Sequence, residues 1–303
     1  MPDLIDQLEE IIAKAHIFQG VEVTGRHSPY SPDAYEAGLL VRPGSTEDVA
    51  AICALAHRSG VPLVPHGGVT GLVDGTASKS GNIILSFERM NRILRVDPEQ
   101  MVLVAEAGAS LESVIAAAGD AGMMPGVDIP SRGSATLGGM TSTNAGGVRF
   151  LRYGMMRENI LGLEAVLPDG TVLSSLNTLM KNNAGFDLKQ LFIGTEGRLG
   201  LVTKVAIKLH PRPVSEETAL VATDSFETLI RLLSRARQEI GADLLSFEAI
   251  WPEYYDITTS QPGFGSRPLA LGPNIFAVIE TALWSDSEAS RLEPFLEKAF
   301  EDG

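Results

Sequence analysis

Residues 132–147 read Arg-Gly-Ser-Ala-Thr-Leu-Gly-Gly-Met-Thr-Ser-Thr-Asn-Ala-Gly-Gly, a run of glycine, hydroxyl and amide residues with almost no large side chain. Glycine inside a helix costs about 1 kcal/mol against alanine, and a strand of such residues has little to pack. The run is therefore expected to be loop. What it does well is bring backbone N–H groups and small hydroxyls close to a ligand rich in acceptors. A second stretch of the same kind, Pro65-His66-Gly67-Gly68-Val69-Thr70-Gly71-Leu72-Val73-Asp74-Gly75, lies earlier. Each follows an apolar segment that reads as a strand. Single glycine turns are commonplace; two such loops in like positions predict a pair closing around one large anionic cofactor.

The chain has 303 residues, enough for one large domain or two smaller ones. Its net charge of −14 argues against nucleic acid and against an anionic membrane surface as partners. An anionic ligand would have to be held by backbone dipoles or a few local cations. The single cysteine, Cys53, lies in an apolar helical pattern and reads as a buried, inert thiol. No disulfide can form within the chain, the N-terminus is too acidic for a signal peptide, and no apolar run approaches the ~20 residues needed to span a bilayer. These features give the expectation of a cytoplasmic protein with no transmembrane segment.

In chain order, Leu4, Ile5, Leu8, Ile11, Ile12 and Ala15 recur at helical spacing. Residues 19–37 are irregular and polar. Residues 38–42 form a short strand ended by Pro43. Ser45 can cap the next helix, Glu47 and Asp48 suit its positive end, and Gly60 stops it. The strand 61–65 delivers the first glycine loop. Strands follow at 82–87, 93–97 and 101–107, then a helix capped by Ser110 and closed by Gly122. Residues 160–167 and 171–174 flank Asp169-Gly170 as a hairpin. Residues 187–192 read as a short helix, and a third glycine-bearing turn at 194–200 leads into the alternating strand 201–209. Pro211-Arg212-Pro213 marks the domain boundary. Beyond it, strand 216–223, helix 226–240, strand 244–250, a Pro/Gly-rich stretch at 262–273, strand 275–282 and helix 287–300 make a ferredoxin-like order. The chain stops just after a helix that ought to return into a further strand, so the second domain is expected to be incomplete.

No G-x-G-x-x-G and no P-loop signature occurs, which disfavours those nucleotide sites. His16, His27, His57, His66 and His210 never pair at metal-ligand spacing, so no metal site is expected. Only His66 lies in a glycine loop.

Pro65-His66-Gly67-Gly68-Val69-Thr70-Gly71-Leu72 resembles the first flavin-diphosphate loop of the FAD-linked oxidases of the vanillyl-alcohol-oxidase type, which carry a PCMH-type FAD-binding domain. Gly133-Ser134 through Leu137-Gly138-Gly139 and Ser142-Thr143-Asn144-Ala145-Gly146-Gly147 resemble that family's second loop. The resemblance continues through Arg149-Phe150-Leu151-Arg152-Tyr153-Gly154, Leu161-Gly162-Leu163-Glu164-Ala165-Val166 and Asp187-Leu188-Lys189-Gln190-Leu191-Phe192-Ile193-Gly194-Thr195-Glu196-Gly197. Within the family the chain is most similar to D-2-hydroxyglutarate and D-lactate dehydrogenases.

The resemblance implies an α+β fold. A two-subdomain PCMH-type FAD-binding domain would occupy residues 1–211, and the first part of a ferredoxin-like substrate or cap domain residues 212–303. It implies FAD held without a covalent bond, since Val69 stands where some relatives carry a flavin-linking histidine. By the same analogy Gly67, Gly68, Val69, Thr70, Gly71 and Leu72 donate backbone N–H groups to the diphosphate, with Pro65 and His66 beside them. Ser134, Gly138, Gly139, Ser142, Asn144 and Ala145 continue the cradle toward the ring, Glu196, Gly200 and Val202 meet the adenosine side, and Asp128 is carried over with them. Met140 stands where relatives often have Asn, which removes a ring-side polar contact.

The implied reaction is oxidation of a small D-2-hydroxy acid to the 2-oxo acid by hydride transfer to flavin N5. Electrons would pass to a quinone, cytochrome or electron-transfer flavoprotein. In relatives, Arg and His residues of the C-terminal substrate domain bind the carboxylate and deprotonate the hydroxyl, often beside a metal. No G-D-G-N-x-H-like segment occurs here, so no catalytic base is named. Those residues are expected beyond residue 303 or from a partner subunit, a second copy included. Two further readings stay open: a flavin reductase of the enolpyruvyl-reducing type, and a non-catalytic FAD-binding subunit.

Overall fold

The structure, a computed structural model, describes residues 2–20, 23, 35–272 and 274–302. Most of the polar stretch at 19–37 lies outside the described residues. The chain divides into two compact units, Met1–Ala145 with Met155–Pro211, and Gly146–Gly154 with Arg212–Gly303.

The first unit holds two sheets. It begins with helix α1 (Pro2–Ile11) and strand β1 (Ile17–Gln19), then β2 (Leu39–Val41), helix α2 (Thr46–Ser59), β3 (Leu63–His66) and β4 (Ile83–Ser86). These strands form a sheet in the order β1-β2-β4-β3, in which β2 and β3 run parallel to β4. Parallel neighbours need a crossover, and α2 supplies one. Its ends follow the sequence signals: Ser45 Oγ accepts the Asp48 N–H at 3.1 Å, and Gly60 closes the helix at φ +64°. Ile52, Cys53 and Leu55 pack with Leu8, Val41, Ile83 and Leu85. Burial pushes the Cys53 thiol up to about 12, which fits the inert thiol expected from the sequence.

The second sheet contains β5 (Ile93–Asp97), β6 (Val102–Glu106), β7 (Met123–Pro125), β8 (Ile160–Val166), β9 (Val172–Ser175) and β10 (Leu201–Pro211). Its order is β5-β6-β10-β8-β9, with β7 also on β10 and every pairing antiparallel. Helix α3 (Leu111–Gly119), capped by Ser110, covers one face. The β8–β9 pair is the hairpin expected around Asp169-Gly170.

Residues 132–147 depart from expectation. They are not all loop: helix α4 (Leu137–Thr143) sits in their middle. The small side chains are what permit it. A Cβ on Gly138 would stand 2.5 Å from the Ala107 Cβ and 2.9 Å from the Ala107 carbonyl, so the helix lies almost on the backbone that follows β6. Leu137 and Met140 are buried, Thr136 caps the first turn, and Asn144 closes the last at φ +51°. Tertiary packing outweighs the helix propensity that glycine lacks.

A buried carboxylate ties the two sheets of this unit together. Glu164 on β8 accepts hydrogen bonds from Thr46 Oγ1 (2.6 Å) and Thr203 Oγ1 (2.9 Å), and pairs with Lys204 Nζ at 2.9 Å.

The second unit contains β11 (Ser215–Thr223), α5 (Phe226–Glu239), β12 (Leu244–Ile250), α6 (Pro252–Thr259), β13 (Ile275–Leu283) and α7 (Leu292–Glu301). The strands form an antiparallel sheet in the order β11-β13-β12. Leu229, Ala236 and Phe295 of the helices pack on Val221, Phe247 and Ile279. Helix α6 is absent from the sequence reading. Pro252 opens it, and Tyr255 stacks on Phe276 with ring centres 3.9 Å apart. The segment Gly146–Gly154 adds Leu151 to this core, and its Arg149 pairs with Glu216 at 2.9 Å.

Candidate cofactor-binding site

β3 ends at His66 and releases the first glycine loop. The loop's course depends on close approach to the second. A Cβ on Gly68 would fall 1.7 Å from the Ser134 carbonyl oxygen, and one on Gly67 2.4 Å from Thr136 Oγ1. Only residues without a Cβ allow backbone to meet backbone at this point. Among the described residues, no protein group accepts a hydrogen bond from the backbone N–H of any residue from 67 to 73. Such a row of free amides is a nest for an anion.

Val69 lies within that row at φ +52°, a left-handed conformation that a β-branched residue avoids. Strain of this kind costs roughly 1–3 kcal/mol and persists where surrounding structure enforces it. Val69→Gly is therefore expected to raise thermal stability, by up to about 1 kcal/mol once the extra freedom of unfolded glycine is subtracted. A thermal melt that shows V69G no more stable than its parent would refute the strain assignment.

Between the loops lies a cavity of about 460 Å³. One wall is Pro65 with Gly67, Gly68, Val69, Thr70, Gly71 and Leu72; the other is Thr136, Gly138, Gly139, Ser142 and Ala145. Phe87, Ala107, Ile129, Leu201 and Val202 give it an apolar side. Among the described residues, Glu196 is the only charged one of the lining; its N–H donates to the Ser142 carbonyl at 2.9 Å, and it stands at φ +53°. Among the described residues, no lysine or arginine lines the cavity.

Five residues proposed from the sequence do not line it. His66 is buried behind the loop, where Nε2 donates to the Thr76 carbonyl at 2.9 Å and the ring meets Tyr35 edge-on. Asp128 takes both arms of the Arg132 guanidinium. Asn144 is the left-handed cap of α4, its Oδ1 accepting the Arg157 N–H at 2.9 Å. Gly200 is a packing glycine, since a Cβ there would lie 2.8 Å from the Phe192 ring. Ser134 offers its carbonyl to the close approach of Gly68. All five shape or back the wall. Sequence reasoning missed Thr136, whose Oγ1 accepts the Gly139 N–H at 3.3 Å, and the apolar side made by Phe87 and Ile129. A threonine three residues before a glycine amide is a capping signal that could have found the first; nothing local marks the second. Met140, read as a lost polar contact, is buried and lines the cavity as an apolar residue.

An elongated cofactor with an apolar ring system and a diphosphate fits this chemistry. Neutral backbone donors take the anion, and apolar side chains take the ring. Residues 37–175 match a family model described as an FAD binding domain. Over residues 37–175 the chain is thus similar to that family's FAD-binding domain. A mitochondrial D-2-hydroxyglutarate dehydrogenase of Bos taurus is 38% identical over 88% of this chain and 48% of its own length. A protein of the same name from Arabidopsis thaliana is 37% identical over 88% and 48%. The chain thus spans about half the length of these curated relatives. A solved structure of alkyldihydroxyacetonephosphate synthase matches with a TM-score of 0.82 at 20% identity, over 99% of this chain and 58% of that one, which fixes the fold.

The relatives' names correct one expectation. Both are mitochondrial proteins, which points away from the cytoplasm. Composition misled here because an organelle address is carried by a leader with its own charge pattern, separate from the folded domain. Among the described residues, no helix is long and apolar enough to cross a membrane.

Proposed function

We propose that the protein to which this chain belongs oxidises a D-2-hydroxy acid, with D-2-hydroxyglutarate the first candidate and D-lactate the second, to the corresponding 2-oxo acid. The reading is supported by the names of the relatives that match along 88% of the chain. The observation that carries it is the cavity itself: an uncharged cradle of free amides beside an apolar slot, suited to FAD. FAD, held there without a covalent bond, supplies the two-electron acceptor.

In this reading residues 1–211 are the flavin domain and 212–303 begin the substrate domain. The amides of residues 67–72 hold the diphosphate. Gly138, Gly139, Ser142 and Ala145 border the ribityl chain and ring, and Glu196 accepts hydroxyl hydrogen bonds on the adenosine side. Val202 closes the apolar side. His66, Asp128, Ser134, Asn144 and Gly200 act by holding the walls in place. The electrons leave to a quinone, a cytochrome or an electron-transfer flavoprotein.

The test is anaerobic reduction of the full-length protein by D-2-hydroxyglutarate, D-lactate and glycolate, followed by loss of the visible flavin band. At least one D-acid should bleach the flavin while its L-isomer leaves it oxidised. A gently purified protein with no flavin band, or a band untouched by every acid, would defeat the proposal.

A further inference from the structure

Arg157 lies in the short helix Met156–Asn159 that leads into β8, within the first unit and outside the cavity lining. Its half-buried side chain reaches the short helical turn Leu188–Leu191 and the residues just after it. Nη1 donates to the Gln190 carbonyl at 3.2 Å and to Gln190 Oε1 at 2.7 Å, and Nη2 donates to the Ile193 carbonyl at 2.6 Å. Its main-chain N–H donates to Oδ1 of Asn144, the left-handed residue that ends α4, at 2.9 Å. Arg157 thus joins the end of the second glycine loop to the start of the third glycine-bearing turn.

That turn carries Glu196. The last carbonyls of α4 receive it: Thr141 accepts the Gly194 N–H at 3.2 Å and Ser142 the Glu196 N–H at 2.9 Å. Carbonyls at a helix end need such donors. On its other side the turn meets the first glycine loop. A Cβ on Gly75 would lie 2.9 Å from Glu196 Oε2, and one on Gly197 2.8 Å from Pro65 Cγ. Glu196 itself stands at φ +53°, a conformation that a non-glycine residue keeps only where its surroundings impose it. The two neutral main-chain bonds supply part of that hold. The guanidinium supplies more, because a hydrogen bond from an ionised donor is roughly twice as strong as a neutral one. Its planar fork also fixes the Gln190 and Ile193 carbonyls together, which sets the path of the chain into Glu196.

We propose that Arg157 is the positioning residue for Glu196: by clamping the third turn to the end of α4, it aims this carboxylate at the hydroxyls of the cofactor's adenosine end. The proposal rests on the function proposed above, and it makes Arg157 a determinant of selection for the dinucleotide over the mononucleotide flavin.

The test uses the full-length apoprotein with Arg157→Met, Arg157→Lys, Glu196→Ala and the double variant of Arg157→Met with Glu196→Ala. Fluorescence titration measures Kd for FAD and for FMN, which lacks the adenosine half. Arg157→Met keeps the stem and loses the donors; Kd for FAD should rise about tenfold, with Kd for FMN within about twofold of the parent. Arg157→Lys, with the charge but no fork, should raise Kd for FAD about threefold. Glu196→Ala should raise it about tenfold, and Arg157→Met should then add no more than about twofold, since nothing remains for it to position. A merely structural role weakens FAD and FMN alike and adds in full to Glu196→Ala. Either result, or unchanged FAD binding in Arg157→Met or Glu196→Ala, overturns the proposal. Where FMN binds too weakly to titrate, the additivity decides alone; where Arg157→Met does not fold, Arg157→Lys takes its place in the same comparison. A parent that takes up no FAD defeats the functional reading instead, before any variant is made.

Discussion

Gly68→Ala is expected to abolish the retention of FAD through purification. The new Cβ would sit 1.7 Å from the Ser134 carbonyl oxygen, 2.5 Å from its carbon and 3.1 Å from the Ala135 Cα. All three are backbone atoms, so no side chain can rotate away. That backbone is also pinned: the Ser134 and Ala135 amides both donate to the Ser131 carbonyl, and the Ala135 carbonyl accepts the Leu111 N–H at 2.8 Å. The first loop must therefore move by more than an ångström, and the row of amides from 67 to 73 loses its common aim. A 100-fold or greater rise in Kd for FAD, about 2.7 kcal/mol, is the expected size. Gly67→Ala is the internal comparison. Its Cβ meets chiefly the Thr136 hydroxyl, at 2.4 Å, with the next backbone atom 3.7 Å away, and a χ1 rotation relieves most of the clash. Its loss should stay near tenfold or below. Flavin fluorescence titration of both apoproteins measures the pair. Equal affinities for G68A and its parent would sink the loop-against-loop geometry on which the site depends.

The contrast between these two glycines shows what the sequence carried. Their presence in a loop after an apolar strand was legible, because glycine marks positions where a Cβ is not tolerated. Which atom forbids the Cβ was not, since Ser134 is distant in the chain and only the fold brings it to Gly68. The same holds elsewhere. The Ser45 and Ser110 caps could be read because a cap and its target amide lie three residues apart. Helix α4 could not be read from propensity, which scored its two glycines against it, although Thr136 and Asn144 stand at its two ends as capping residues do. Helix α6 was hidden by its setting before a Pro/Gly-rich stretch. Asn144, Asp128 and His66 were placed at the ligand by analogy. In the structure they hydrogen-bond Arg157, Arg132 and Thr76 and stand outside the cavity lining. Family motifs mark positions that matter to a site without separating residues that touch the ligand from residues that position those that do.

Glu164→Ala should produce the largest loss of fold stability among the changes argued here. Glu164 joins three elements: Thr46 at the start of α2, its own strand β8, and Thr203 with Lys204 on β10. The main-chain carbonyl of Thr203 accepts the Ala107 N–H at 2.9 Å, which leads directly to the cavity wall. Removing the carboxylate strands two buried hydroxyls and a largely buried ammonium, at a cost of about 2–4 kcal/mol. For a unit of this size that lowers the melting temperature by roughly 5–15 °C. Burial alone would raise the Glu164 pKa; the hydrogen bonds from Thr46, Lys204 and Thr203 and the lysine charge together outweigh it and hold the carboxyl below the ordinary 4.5. A carboxyl depressed in the folded state stabilises fully above its unfolded pKa and loses that contribution as pH falls through the folded value. Glu164→Gln keeps the size and an acceptor but cannot ionise. The stability gap between the parent and Glu164→Gln should therefore be widest near pH 7 and close below about pH 4.5. Acid sensitivity that survives in Glu164→Gln has another source in Glu106, which burial would raise but which Arg92 holds down. Urea melts of both proteins at pH 7 and pH 3.5 decide the matter. A gap of the same size at both values would mean that the ion pair with Lys204 contributes nothing and that the hydroxyl contacts alone join the two sheets behind the cavity.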